Sequence, residues 1–410
     1  MNQPRRLTLA PGADLTGGIR APSRDAIVAP TDARADRGDP VGHPDRGRVL
    51  VVSADIGAGH DAAAAELADR LAAHGIMVER LNFFAALPRP LHSVFREGYR
   101  AMLRWLPWSY DALFTITDRS PLAVRAIRTA LRLASRRMLL RLPPGTSLVV
   151  TTFPFANQVL GPLRHRGRLD ASVVTYVTDF VVHPTWMAPG IDTYCVIHRA
   201  AQRHAAAHGA HDVRVVSPLV SARFASSPSD DKRAARARFG LPEQERLALI
   251  VAGSWGVGDV VRTAAEVLAT GCVTPVVVCG RNDELRRRLH AFPGHVLGWV
   301  DDMPTLMRAV DVVVENAGGL TCQQSLAAGL PTVTYRPIPG HGRANAEVLA
   351  EAGLTTYVTT AAHLRPALTA LTTAQNDAPV VAATDMAAVV SEAVRRSARA
   401  TRRRNDPPVP

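Results

Sequence analysis

The sequence predicts an α/β protein built as two doubly wound, Rossmann-like halves facing a cleft. Three observations predict it. A β-branched run, Arg48-Val49-Leu50-Val51-Val52-Ser53, leads into a glycine turn and an alanine-rich helix. After a polar stretch, the strand, glycine turn and helix restart at Leu247. Each restart is followed by further short apolar runs, the signature of buried parallel strands.

In chain order, residues 1–46 mix Pro, Gly, Asp and Arg without apolar periodicity and are expected to be a disordered leader. An acceptor-side domain is expected over 47–220. It opens with the strand Arg48–Ser53, the turn Gly57-Ala58-Gly59-His60 and a helix to about His74, where Gly75 ends it. A strand at 76–81 completes a βαβ unit. Further strands are expected at 147–152, 172–178, 193–197 and 213–216. Residues 221–246, with Pro228 and Pro242, read as an interdomain connection. The second domain, 247–375, opens with a strand at 247–252, the loop Gly253-Ser254-Trp255-Gly256-Val257-Gly258 and a helix over 259–270. Its later strands are expected at 275–279, 295–297, 311–314 and 331–335. Residues 376–410 read as a last helix and basic tail.

Composition narrows the class. With 410 residues, 47% of them hydrophobic, the chain buries a sizeable core without staples. No apolar run reaches the roughly 18–20 residues of a membrane helix. The first 30 residues lack the apolar core of a secretory signal, so none is expected. The four cysteines form no CxxC pair, which fits a reducing compartment and excludes a disulfide framework or zinc ribbon. Net charge is +12, yet Lys232 is the sole lysine among 48 basic residues. Arginine and alanine in such excess reflect a GC-rich genome, so the local clustering of arginine carries more meaning than the total. Residues 89–141 hold eleven arginines against three acidic residues, interleaved with Phe95, Tyr99, Trp105, Trp108, Tyr110 and Phe114. Amphipathic helices of this kind sit at an anionic membrane surface; ordinary helices with a solvated arginine face are the alternative. No RNA-binding motif accompanies them, and no nucleic acid is expected.

Two glycine motifs suggest ligands. Gly57-x-Gly59-x-x-Ala62, with Glu79 twenty residues beyond Gly59, matches a dinucleotide fingerprint. His60 argues against it, because a bulky imidazole stands where backbone amides should approach a pyrophosphate. In Ala317-Gly318-Gly319-Leu320-Thr321-Cys322-Gln323-Gln324, the two glycines allow close backbone approach. Thr321 is expected to cap the next helix, whose N-terminus favours phosphate. Together with Gly253–Gly258, two turns facing one cleft hold a diphosphate without metal, so no metal and no cofactor are expected. Asp179 and His183 follow a strand at its carboxyl end, where open α/β sheets bind ligands; a turn aspartate and a loop histidine are the plainer alternative. Trp186 reads as acceptor wall or packing, and Asp301-Asp302 as a helix cap.

These segments resemble, in order, those of monogalactosyldiacylglycerol synthases and bacterial diacylglycerol glucosyltransferases. The resemblance lies in Ser53-Ala54-Asp55-x-Gly57-x-Gly59-His60 and in Val177-Thr178-Asp179-x-x-x-His183-Pro184-Thr185-Trp186. It continues in Gly298-Trp299-Val300-Asp301-Asp302-Met303, the 317–331 segment and Pro339-Gly340-His341-x-x-x-Asn345. The second half is also similar to the peptidoglycan transferase that glycosylates lipid II. The resemblance implies a GT-B fold, a UDP-sugar donor, a lipid acceptor and inversion at the anomeric carbon. An inverting transfer needs a base, and His60, an imidazole at a helix N-terminus, is the candidate, with capping that helix or orienting the acceptor as the plainer role and Asp179 with His183 as the alternative base; Gly59 and Trp186 are candidate acceptor-side contacts. Gly253, Ser254, Trp255 and Gly256 then face the diphosphate, and Val300 meets the uracil beside Trp299. Gly318, Gly319, Leu320 and Thr321 line the phosphate side. His341 stands where the family has a sugar-contacting glutamine, and Asn345 on a matching asparagine. Gln324 departs from a glutamate that holds the ribose hydroxyls. The expected protein is cytoplasmic and peripheral at the inner face of the cell membrane. The alternatives are a GT-B transferase for a soluble natural product and a non-catalytic nucleotide-sugar or lipid-binding protein.

Overall fold

The computed structural model describes residues 47–56, 58–225, 231–251, 253, 256–373 and 383–405. The expected leader, Ser254 and Trp255 lie outside them. The first sheet comprises β1 (Arg48–Ser53), β2 (Val78–Asn82), β3 (Thr146–Thr151), β4 (Ser172–Tyr176), β5 (Thr193–Val196) and β6 (Val213–Val215). Its order is β2-β1-β3-β4-β5-β6, parallel throughout. The second comprises β7 (Leu247–Val251), β8 (Thr274–Val278), β9 (His295–Leu297), β10 (Val312–Glu315), β11 (Thr332–Tyr335) and β12 (Thr356–Val358). Its order, β12-β11-β10-β7-β8-β9, is that of a dinucleotide-binding sheet.

Strand periodicity divides each core in two. On β1, Val49 and Val51 face one layer with Leu67 and Leu71 of the helix Gly59–Ala73, while Leu50 and Val52 face the other with Phe83, Phe84 and Leu160. Covering both faces explains why these strands read as continuous apolar runs rather than alternating ones.

Two features depart from the expectation. β12, a three-residue edge strand, was not anticipated. The final helix, expected within 376–410, is Met386–Asn405, but it belongs to the first domain rather than standing as a separate closing segment. Its Met386, Ala387, Val389, Val390, Ala393 and Val394 pack into the first sheet's core beside Val49 and Leu148. Fully burying a Val or Met side chain contributes about 1.5–3 kcal/mol, so this helix is a structural wall of the first domain.

Between β2 and β3 the arginine-rich segment forms four helices, Arg89–Trp105, Pro107–Arg119, Pro121–Ala130 and Arg132–Leu140. Proline at the first position of the second and third helices punctuates the run. Ser120 caps the third by accepting from Ala123 N–H at 3.3 Å.

Candidate active site

In each sheet the order reverses once, between β1 and β3 and between β7 and β10. Ligands bind outside the carboxyl ends of strands at such points. The two reversals meet across the cleft, where a Cβ built on Gly59 would lie 3.8 Å from Leu320 of the other domain.

His60 lies in the first turn of the helix Gly59–Ala73. Its Nδ1 is 2.6 Å from the Thr152 carbonyl oxygen, and Thr152 Oγ1 donates back to the His60 carbonyl at 2.9 Å. A carbonyl only accepts, so Nδ1 carries the proton and Nε2 is left with a lone pair. Burial pushes the imidazole below its usual pKa, and the nearby Asp179 charge only partly offsets this. The result is a neutral imidazole able to take a proton at Nε2. Phe153 and Trp186 flank the ring at 5.3 and 6.1 Å between centroids. Glu79 sits mid-strand on β2 and pairs with Arg48 at 3.2 Å, away from the position a ribose-binding acid takes at a strand's end.

Asp179 accepts from Trp186 Nε1 at 3.4 Å. Trp186 is 1% exposed, so it is packing that orients Asp179 rather than an open wall. His183 is held by other partners. Its Nδ1 accepts from Thr185 N–H at 3.2 Å, and its Nε2 is 3.2 Å from the Phe114 carbonyl. With both nitrogens engaged and burial lowering its pKa, its geometry is that of a pin joining the 184–186 turn to the helix Pro107–Arg119.

On the donor side, Glu315 ends β10 and reaches under the next turn. Its carboxylate accepts from Ala317 N–H at 2.8 Å, Gly318 N–H at 2.5 Å and Thr334 Oγ1 at 2.5 Å. Gly318 has φ +65°, and a Cβ there would lie 2.5 Å from Asn345 Cβ, so the turn demands glycine. The N-cap of the helix Leu320–Ala327 is the Gly319 backbone; Thr321 sits inside the first turn and does not cap, which corrects that expectation. Gln324 lies half-buried one turn further on. Gly253 and Gly256 hold positive φ in the loop after β7. The half-exposed Trp299 carries Arg281 over its ring at 4.2 Å and donates to Asp301 at 2.7 Å; Val300 follows it, partly buried. Asp302 caps the helix Met303–Ala309.

Two amides tie the domains together. Asn345, fully buried, accepts from Val181 N–H at 2.9 Å and donates to the Ala317 carbonyl at 3.1 Å. Gln323 donates to the Thr178 carbonyl at 2.7 Å and accepts from Tyr176 O–H at 3.3 Å. Asn345 thus fixes both turns from behind rather than lining open space.

One group of residues was not anticipated. The helix Pro107–Arg119 crosses the cleft. Asp111 accepts from Gly340 N–H at 2.9 Å, and the Tyr110 hydroxyl lies 2.8 Å from His341 Nδ1. Tyr99 packs edge-on against Tyr110 at 5.6 Å. The Asp179 charge acts to raise the pKa of His60, His341, His183, Tyr99 and Tyr110 alike, though burial outweighs it at the three histidines.

Comparison with known proteins accords with this geometry. Residues 60–217 match the monogalactosyldiacylglycerol (MGDG) synthase family model, and residues 247–399 match the glycosyltransferase family 28 C-terminal domain. A processive diacylglycerol beta-glucosyltransferase of Bacillus pumilus is 25% identical over 319 residues, covering 75% of this chain and 82% of the relative. Its Bacillus subtilis counterpart is 28% identical over 213 residues, covering 50% and 55%. Among solved structures, Acinetobacter baumannii MurG superposes with a TM-score of 0.50 at 18% identity, over 85% of this chain and 99% of that one. Arabidopsis thaliana UGT89C1 does so with 0.53 at 13% identity, over 86% and 94%. These likenesses establish the GT-B fold. On that fold the chain carries, in order, a domain of the monogalactosyldiacylglycerol synthase family and the C-terminal domain of glycosyltransferase family 28, the two halves of a glycosyltransferase.

Proposed function

We propose that the protein transfers a hexose from a UDP-sugar, with inversion, to the hydroxyl of diacylglycerol at the inner face of an anionic membrane. His60 Nε2 takes the hydroxyl proton as that oxygen bonds to the anomeric carbon. The bond from that carbon to the diphosphate breaks, and the electron pair leaves on UDP. Asp179 stabilises the imidazolium that forms. The departing charge meets the turn Gly318–Leu320, whose N–H groups open a helix. The observation that carries the reading is the Nδ1 bond to the Thr152 carbonyl, which leaves the base nitrogen of His60 available at the cleft between the two reversals.

A lipid acceptor requires the enzyme at the bilayer, because its chains leave at a cost of about 0.8 kcal/mol per CH₂. Ten of the twelve exposed large hydrophobic side chains among the described residues lie in the 89–141 insert, with Trp105 71% and Trp108 69% exposed. That surface, rich in arginine, supports docking on anionic lipid. The deciding experiment incubates a panel of UDP-sugars with diacylglycerol-containing anionic vesicles and reads the lipid extract by mass spectrometry. A hexosyl-diacylglycerol product is expected. UDP release without acceptor, or product confined to the aqueous phase, would overturn the reading.

A further inference from the structure

We propose that a cavity between the insert and the helix Pro154–His165, walled by Arg128, Arg132, Arg166 and Arg168, binds a phosphate group, and that its occupant steadies the turn orienting Asp179. None of the donor-side or base residues named above lines this cavity, so the site is a second one and stands whether or not the proposed transfer does.

An arginine-rich chain scatters cations over its surface, but here four from three separate segments close on one hollow. Arg128 comes from the helix Pro121–Ala130, Arg132 from Arg132–Leu140, and Arg166 and Arg168 from the chain leaving Pro154–His165. Ser135 and Gln158 add neutral polar groups, and no carboxylate lines the cavity. Its volume is about 120 Å³, where a single water needs roughly 10–15 Å³, so a tetrahedral oxyanion fits. Among the described residues none of the four arginines has an ion-pair partner, whereas the neighbouring Arg164 pairs with Asp192 at 3.5 Å. Like charges gathered in one hollow repel, and an anion among them reverses that cost. Guanidinium forks match phosphate oxygens in shape as well as charge.

Arg128 is held by neutral groups. Its Nε donates to Gln158 Oε1 at 2.7 Å and its Nη2 to the Met187 carbonyl at 3.3 Å. Of the five N–H groups of a guanidinium these bonds use two, and the rest are left for a ligand. Gln158 donates in turn to the Thr185 and Met187 carbonyls at 2.7 and 2.8 Å, and Trp186 between them donates to Asp179 at 3.4 Å. An anion that fixes Arg128 therefore fixes the 184–187 turn. Two sources carry this chemistry. A lipid head group would find apolar surface for its chains at Leu133 and Leu140, both exposed on the helix that carries Arg132. A soluble phosphate ester would use the arginines alone.

The test uses the full chain with saturating UDP, whose own binding is measured first so that failure of the donor site shows separately. Inorganic phosphate and glycerol 1-phosphate are titrated by calorimetry, and retention is measured on phosphatidylcholine vesicles with and without phosphatidic acid. Arg166→Gln, Arg168→Gln should weaken binding about tenfold or more, since charged hydrogen bonds are lost. Arg136→Gln, Arg137→Gln removes the same charge from exposed positions outside the cavity and should stay within about twofold of wild type. Binding of the soluble probes that depends on Arg166 and Arg168 supports the site with a free phosphate ester as ligand. The same dependence confined to phosphatidic acid vesicles supports it with a head group. Equal effects of the two variant pairs, or no binding of any probe, overturns the site. Hydrogen exchange reads the turn: the Trp186 and Met187 amides should slow when the probe that binds is saturating, in wild type but not in Arg166→Gln, Arg168→Gln. Unchanged exchange in wild type overturns the link to Asp179.

Discussion

Replacing His60 with alanine tests the centre of the mechanism. In the folded protein the side chain makes the Nδ1–H bond to Thr152, an edge contact to Phe153 and a tilted one to Trp186. Losing one neutral hydrogen bond on a half-buried ring costs about 0.5–1.5 kcal/mol of stability. Losing a general base costs on the order of 10²–10⁴ in rate, or about 3–5 kcal/mol of barrier. The chemistry should therefore fall much further than the fold. UDP affinity should hold, because His60 belongs to the opposite domain. The assay is kcat by lipid product formation, with UDP titration calorimetry and the melting temperature on the same sample. The pH dependence supplies a second reading. Burial lowers the His60 pKa, so the neutral base persists below pH 6.5 and kcat/KM should fall only as pH drops through that lowered value. The residual activity of the variant should lack this acidic limb. Near-normal turnover, or an unmoved limb, would refute His60 as the base and shift attention to Asp179.

Three further outcomes are expected. Gln324→Glu should tighten UDP binding by calorimetry, since a charge-assisted hydrogen bond contributes about 1.5–3 kcal/mol against 0.5–1.5 for a neutral one; weaker binding would mean the pocket is built around the amide. Asn345→Ala strands the Val181 N–H and the Ala317 carbonyl and should cost about 1–3 kcal/mol in denaturant unfolding; an unchanged midpoint would remove Asn345 from the interdomain tie. In vesicle co-sedimentation, wild-type binding to anionic lipid should weaken with salt but keep a residue. A Trp105→Ala, Trp108→Ala double variant should lose it, and identical salt curves would set those side chains aside as anchors.

Much of the fold is legible because parallel strands buried on both faces are short β-branched runs, and each reversal of a sheet needs a glycine turn. β1 and β7, with their turns, carry that pattern openly. What escapes is decided by distant partners. Tyr110 and His341 are 231 residues apart, and no local spacing joins them. His183 reads like a catalytic histidine until both its nitrogens are found occupied by Thr185 and the Phe114 carbonyl. Thr321 has the chemistry of a cap, yet the chain reaches the helix through Gly319 at φ −93°, ψ −138°, which takes that position first. The final helix is legible in the sequence, but its return to the first domain is not, because its arginines obscure the apolar stripe from Met386 to Val394.

That final helix makes the polypeptide cross between the domains twice, once after β6 and once before Met386. Ser217 N–H donates to the Thr384 carbonyl at 3.0 Å, so the chain leaves the first domain and rejoins it at adjacent points. A single crossing is a tether that lets one body swivel in every direction. Two adjacent crossings act as the leaves of a door hinge: they permit rotation about the line joining them and resist twist and slide. The same layout decides where the protein can be cut. Ending the chain before Met386 would strip the first domain of a core wall, so that domain is not a contiguous piece of the sequence.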